Sequence, residues 1–343
     1  MRSINVGEGY MLRSCVWELT LACCFSCKYC GSRAGTKRRD ELSTEECLDV
    51  VKQLSEIGCQ SVSLIGGEVF MRDDWSAIAH SLTNRNIKTS IITNGFLMTE
   101  DLIDQLIQSR VESVAVSLDS IEPIHDRYRQ AGSFARAEEA ITALTNSQIP
   151  TAVISTLNAD NVDYLEEFYK YLQHWHLYAW QLQACLPMGN ASGGIPYRFD
   201  FNKVINFVIS KVQTAPFSVG IADNIGYYTD GEGYLRGNKN GLAFFRGCRA
   251  GISSIGIDSV GNVRGCESMI DERFNEGNLR EKSLKEIWED PKSFLYNRAF
   301  SIKKLAGKCC GCVYGKYCHG GCRSYNWFVH GKMYESPFCA LYI

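Results

Sequence analysis

Between about residues 13 and 185, short runs of apolar and β-branched residues alternate with longer stretches in which apolar positions recur every three or four residues. The first pattern belongs to strands and the second to amphipathic helices. The spacing predicts strands over 12–21, 61–65, 88–92, 113–118, 152–157 and 179–185, with helices over 43–57, 75–83, 100–108, 134–146 and 162–173 between them. Ser43-Thr44-Glu45-Glu46 has capping-box form, Gly58 ends the helix it opens, and Thr93-Asn94-Gly95 closes the third strand.

Strand and helix alternating in this way call for a parallel sheet with right-handed crossovers and helices outside. Eight such units close a full barrel. Six therefore predict an α/β chain with an open, partial (β/α)6 TIM barrel, its chemistry at the carboxyl ends of the strands. Residues 186–240 are less regular, with glycine-rich segments at 189–194 and 227–241 around one helix near 201–212. The expected division is a barrel over 1–215, a bridge over 216–241 and a small cysteine-rich domain over 242–343.

Charge narrows the partners. The 36 basic and 38 acidic side chains of the 343-residue chain leave a net charge of -2, which exerts no general pull toward nucleic acid or an anionic membrane. Residues 1–10 are polar and glycine-rich, without a secretory h-region, and no run of about 18 apolar residues occurs. Sixteen cysteines without an export signal fit thiolate ligands in a reducing cytoplasm better than disulfides.

Cys23-Cys24-Phe25-Ser26-Cys27-Lys28-Tyr29-Cys30 sets three of those thiols, Cys23, Cys27 and Cys30, at CxxxCxxC spacing after the first strand. Four thiolates complete an ordinary zinc or iron–sulfur site, so three point to a cluster with one iron left open. A zinc or redox pair is the plainer reading of Cys27 and Cys30 alone. With Tyr29 before the last cysteine, the motif resembles the signature of the radical S-adenosylmethionine (SAM) enzymes. That resemblance implies that the three cysteines hold a [4Fe–4S] cluster and that SAM chelates its open iron. Reductive cleavage of SAM then yields a 5′-deoxyadenosyl radical, which removes a hydrogen atom from the substrate.

Gly66-Gly67-Glu68 follows the second strand and resembles the family's GGE motif, which implies contact with the amino group of SAM. Ser117 and, twelve residues on, Arg129 match the serine and arginine that contact SAM in SPASM-type members, the arginine pairing with its carboxylate. Asp119, His125 and Asp126 read equally well as turn formers. Ser155, Thr156, Asn158, Gln181 and Gln183 stand near strand ends without a motif to assign them.

The last hundred residues carry Cys248, then Gly261 and Cys266, then Cys309-x2-Cys312-x5-Cys318-x3-Cys322, and finally Cys339. This is similar to the seven-cysteine pattern of the SPASM extension. The resemblance implies one auxiliary cluster on Cys309, Cys312, Cys318 and Cys339 and another on Cys248, Cys266 and Cys322, three [4Fe–4S] clusters in all. The second auxiliary set has either an open iron or a fourth ligand in Cys185 or Cys310. Cys15, Cys24, Cys47 and Cys59 read as plain buried thiols. Glu267, directly after Cys266, stands where anaerobic sulfatase-maturating members place a catalytic aspartate, and is as readily an exposed hairpin carboxylate.

Cys30 to Gly35 and Gly66 to Trp75 resemble the maturases of ribosomally synthesised peptides. The leading expectation is radical modification of a precursor peptide, by cross-link formation or by tyramine excision of the splicease type. The 22 residues before Cys23 are too few for a winged-helix leader-recognition domain, which implies a separate leader-binding protein or leader binding on the barrel. A reductant such as flavodoxin or ferredoxin is also implied. The alternatives are a radical dehydrogenase of the sulfatase-maturase type and a zinc-stapled binding module.

Overall fold

In a computed structural model that describes residues 9–236 and 239–342, the chain forms ten strands. They are β1 (Ser14–Glu18), β2 (Ser61–Ile65), β3 (Lys88–Thr93), β4 (Ser113–Ser117), β5 (Thr151–Leu157), β6 (Ala179–Ala184), β7 (Ser218–Ile221), β8 (Ser254–Ile257), β9 (Asn262–Arg264) and β10 (Gly277–Asn278). All belong to one sheet, in the order β10-β9-β8-β1-β2-β3-β4-β5-β6-β7. From β1 to β7 every neighbour is parallel. Residues 1–8, most of the stretch read for an export signal, lie outside the described residues.

Helices α1 (Thr44–Glu56), α2 (Trp75–Asn84), α3 (Glu100–Gln108), α4 (Glu122–Tyr128), α5 (Ser133–Asn146), α6 (Leu165–Leu172) and α7 (Phe201–Lys211) fill the crossovers. The capping box is formed: Glu46 N–H donates to Ser43 Oγ at 3.2 Å and Ser43 N–H to Glu46 Oε2 at 2.7 Å. Helix α4 was not among the expected elements; Pro123 in its first turn starts it, where a missing N–H costs nothing.

The sheet is curled. Val16, Ile65, Ile92, Ser117, Ile154 and Gln181, one from each of β1 to β6, line a single cavity. Six flat strands would span about 24 Å at 4.8 Å per step, too far to share such a space. Their alternate neighbours Trp17, Leu64, Ile91, Val116, Val153 and Leu182 are fully buried in the hydrophobic core. Strand β7, beyond the six expected, extends the sheet; four residues with Gly220 among them leave too short a pattern to read.

At the other edge β8 pairs in parallel with β1, from Ser14 with Ser254 to Trp17 with Ile257, and β9 folds back antiparallel on β8. The edge of β1 is thus covered by backbone from the cysteine-rich region, which relieves an exposed strand edge. Among the described residues no helix is long and apolar enough to cross a membrane.

Candidate functional site

The loop after β1 is closed at its base by backbone bonds from Cys23 N–H to Gly35 O at 2.9 Å and from Gly35 N–H to Leu21 O at 3.0 Å. Within it Cys23, Cys27 and Cys30 all reach a cavity of about 370 Å³ at the carboxyl ends of the strands. The segment after β6 clamps this loop from outside. Asn190 donates its backbone N–H to Cys30 O and its Nδ2 to Cys27 O, both at 2.9 Å. Gly189 permits that approach, because a Cβ there would lie 2.2 Å from both Cys30 O and Gly31 O. Neither Gly189 nor Asn190 was singled out from sequence, since the contact joins segments far apart in the chain.

Gly66 and Gly67 lie on the cavity wall with their backbone against the cysteine loop; a Cβ on Gly67 would sit 2.3 Å from Ala22 O and 2.7 Å from Cys23 Cβ. The Glu68 carboxylate is buried behind these glycines. It accepts from Thr93 Oγ1 and Asn94 N at 2.8 Å and from Phe70 N at 3.3 Å. Burial pushes its carboxyl up to about 7 against those three donors. Its carboxylate joins the turns after β2 and β3. Asn94 in turn points Nδ2 at Cys24 Sγ, 3.5 Å away.

Ser117, at the end of β4, and Arg129, after α4, both reach the cavity wall. Arg129 is held from behind by Asp119 and lies 5.4 Å from the centre of the Tyr29 ring. Tyr29 donates its hydroxyl to the same carboxylate. Burial opposes ionisation of Asp119, but the Arg129 guanidinium outweighs it and holds the carboxyl below its ordinary range. Asp119, left as a turn former from sequence, thus organises two of the expected contacts. Its position just past a barrel strand was the available signal.

The strand pairing of β8 and β9 carries Cys266 and Glu267 to the opposite wall of this cavity. Glu267 is half-buried, with Oε1 3.8 Å from Arg264 Nη1 and Oε2 without a hydrogen-bond partner. Burial and then the charge of Glu18 push its carboxyl well above the usual range. Behind it, Cys266 shares its surroundings with Cys248 and Cys322: burial and those two thiols push it up to about 12. Cys309, Cys312, Cys318 and Cys339 line a second, separate pocket together with Tyr227, Tyr314 and Tyr342.

Among the described residues no group of three or more His, Cys, Asp or Glu side chains is disposed to hold a metal ion. Cys23, Cys27 and Cys30 instead line the large cavity, and Cys309, Cys312, Cys318 and Cys339 the second pocket, as suits a cluster whose irons occupy corners of a cube. The residues fit the expected groups: two sets of three cysteines, one of four, and a glycine-floored cavity with a buried arginine beside the amino-terminal set. Cys185 is buried and Cys310 exposed. Cys15, Cys47 and Cys59 are buried in the core, while Cys24 is only half-buried within the loop.

Comparison with known proteins agrees with this architecture. Residues 17–172 match the model of the radical SAM superfamily, and residues 248–313 that of the SPASM iron–sulfur cluster-binding domain. The chain is 26% identical to an AdoMet-dependent heme synthase of Oleidesulfovibrio alaskensis, over 95% of this chain and 87% of that protein. It is 28% identical to the mycofactocin maturase MftC of Mycolicibacterium smegmatis, over 91% of this chain and 78% of that one. The fold matches that of Streptococcus suis SuiB bound to S-adenosylmethionine with a TM-score of 0.76 at 18% identity, covering 96% of this chain and 77% of SuiB. The chain is an iron–sulfur enzyme built of a radical SAM domain, which supplies the partial barrel, and a SPASM domain after it.

Proposed function

We propose that the enzyme is a maturase that modifies a ribosomally synthesised precursor peptide by hydrogen-atom abstraction, forming a cross-link or excising a tyramine unit. The observation that carries this reading is the single cavity bounded on one side by Cys23, Cys27 and Cys30 and on the other by Cys266 and Glu267. A substrate there lies between a radical source and a carboxylate backed by a second thiol group. The resemblance to a mycofactocin maturase supports a peptide as the substrate.

In this proposal Cys23, Cys27 and Cys30 hold one cluster, and Cys248, Cys266 and Cys322 and the set Cys309, Cys312, Cys318 and Cys339 hold two others. The amino-terminal cluster with SAM supplies the 5′-deoxyadenosyl radical. Gly66 and Gly67 offer backbone groups to the SAM amino group, and Arg129 offers its guanidinium to the carboxylate. Asp119 and Tyr29 fix that arginine, so little rotamer freedom remains to be lost on binding. Ser117 borders the same contact. Glu267 takes the substrate proton once a carbon-centred radical has made it acidic.

A second reading, a tetrapyrrole substrate, is favoured by the resemblance to AdoMet-dependent heme synthases over nearly the whole chain. A dehydrogenase is the third. One experiment separates them: anaerobic reconstitution, SAM and a strong reductant, then mass analysis of peptides encoded beside the gene and of porphyrins. A peptide that loses hydrogen with a new ring, or a tyramine-sized fragment, supports the maturase. Loss of two hydrogens without a ring supports the dehydrogenase, and change only in the porphyrin supports the heme-type reading.

A further inference from the structure

The short helix Leu295–Arg298 is tied to the segment that follows Cys248. Asn297 Nδ2 donates to Ala250 O at 2.7 Å and Arg298 Nε to Gly251 O at 2.8 Å, while Tyr334 donates its hydroxyl to Tyr296 O at 2.9 Å. The Tyr296 ring meets Phe274 edge-on, 5.8 Å between centres, and packs in one small apolar group with Ala250, Met269, Cys248 and Cys266. Backbone and ring are therefore both held.

The hydroxyl at the end of that ring is buried and has no hydrogen-bond partner among the described residues. It lies over Gly265, the residue before Cys266: a Cβ there would sit 2.0 Å from Tyr296 Oη and 3.0 Å from Ala250 Cβ. Glycine at 265 is what admits the hydroxyl beside that cysteine. Burial, then the charge of Glu276, then the thiols of Cys248 and Cys266 push the phenol above its usual range, so the hydroxyl stands among these groups. Neither the carboxylate nor either sulfur accepts from it. An unmatched donor buried in an apolar site is costly, and native proteins keep few of them.

We propose that Tyr296 donates its hydroxyl hydrogen bond to a sulfur of the iron–sulfur cluster held by Cys248, Cys266 and Cys322, and so raises the reduction potential of that cluster. This rests on the reading that those three cysteines hold a cluster. The phenol keeps its proton, and no covalent bond is made or broken. A hydrogen bond to cluster sulfur is stronger in the reduced form, which carries more negative charge, and therefore favours reduction. Ser324 Oγ, 3.3 Å from Cys322 Sγ, already gives another member of the set a hydroxyl neighbour.

The test is a redox titration of the reconstituted holoenzyme followed by electron paramagnetic resonance, wild type against Tyr296→Phe. That change keeps the ring and its packing and removes only the hydroxyl. Tyr342→Phe is the control, because its phenol lines the pocket of the other carboxyl-terminal cysteines. The expected result for Tyr296→Phe is one cluster about tenfold harder to reduce, about 59 mV lower for one electron, at unchanged iron content and with the other signals unmoved. In electron–nuclear double resonance, the same signal should lose one proton coupling that wild type exchanges in D2O. Tyr342→Phe should leave that signal at its wild-type potential. An unmoved potential in Tyr296→Phe at full iron overturns the proposal, as does an equal shift of every cluster. Iron–phenolate bands in the resonance Raman spectrum of wild type also overturn it, in favour of direct ligation. Should Tyr296→Phe lose this cluster's iron, the exchangeable coupling in wild type decides: its presence upholds the donor and its absence overturns it. Wild type that holds iron only at the other two cysteine sets sinks the cluster reading itself.

Discussion

Asp119 accepts two hydrogen bonds from Arg129, Nε to Oδ2 at 2.7 Å and Nη2 to Oδ1 at 3.2 Å, deep behind the cavity wall. Its Oδ1 also accepts from Thr156 N at 2.9 Å and its Oδ2 from the Tyr29 hydroxyl. Four donors therefore fix one carboxylate, and through it a guanidinium beside the amino-terminal cysteines. Nη1 of Arg129 is left for whatever enters the cavity.

Breaking this pair by Asp119→Asn leaves Arg129 buried without a counter-charge, which costs about 3 kcal/mol or more. The expected outcome is a lower unfolding midpoint, with SAM binding weakened about tenfold. Arg129→Lys keeps the charge but loses the fork, so it weakens SAM binding with a smaller drop in stability. Anaerobic titration calorimetry and thermal melts at matched iron content measure both; tight SAM binding by either variant places the carboxylate contact elsewhere.

His125 packs against the same network, its Nδ1 accepting Asp119 N–H at 3.1 Å. Burial first, and then the charge of Arg129, lower its pKa to about 4. The folded state keeps this ring neutral, whereas an unfolded chain protonates it below about 6.5. Stability from His125 is thus complete above about 6.5 and is lost progressively as pH falls toward 4. Between pH 7 and 5.5 its share of the loss is about 1.2 kcal/mol, and His125→Gln removes that share. The check is the difference in midpoint between wild type and variant at the two pH values. It is expected to shrink by about 2 °C on acidification.

The expected six strands were legible because the two-residue and 3.6-residue repeats are local, and the cysteine groups because their spacings are short. The rest depends on contacts that no local pattern carries. β8 pairs with β1 across some 240 residues, from Ser14 to Ser254, and that pairing alone brings Glu267 into the cavity. Glu68 stands out in the sequence because it follows two glycines; that Thr93 and Asn94, a strand away, donate to its carboxylate is not readable there. Asp119 was ambiguous for the same reason, since its partners Tyr29 and Thr156 lie 90 and 37 residues distant.

Gly189→Ala tests the clamp on the cysteine loop. The added methyl meets backbone oxygens on both Cys30 and Gly31, and Gly189 has a φ of +57°, so neither a rotamer change nor a small shift relieves it. The cysteine loop should move, and the reconstituted variant should lose the iron proposed for Cys23, Cys27 and Cys30 while retaining the iron proposed for the carboxyl-terminal cysteines. Mössbauer spectra with and without SAM distinguish this from uniform loss. Full iron and an unchanged SAM response show that the clamp is dispensable.

Glu267 faces the cavity with Oε2 unpartnered and Arg264 no nearer than 3.8 Å, so its carboxyl is neither neutralised by a close ion pair nor solvated as a surface group is. If it serves as the base, its removal acts after SAM has been cleaved and not before. Glu267→Gln should therefore leave 5′-deoxyadenosine formation within about twofold while lowering modified peptide by about 100-fold, the scale of general acid–base catalysis. A purely structural role predicts parallel loss of both, because a disturbed β8–β9 hairpin also disturbs Cys266 beside it. The ratio of 5′-deoxyadenosine to product, measured with Glu267→Asp as the conservative variant, decides between them: an uncoupled ratio that Asp partly restores identifies the base, and a constant ratio removes Glu267 from the chemistry.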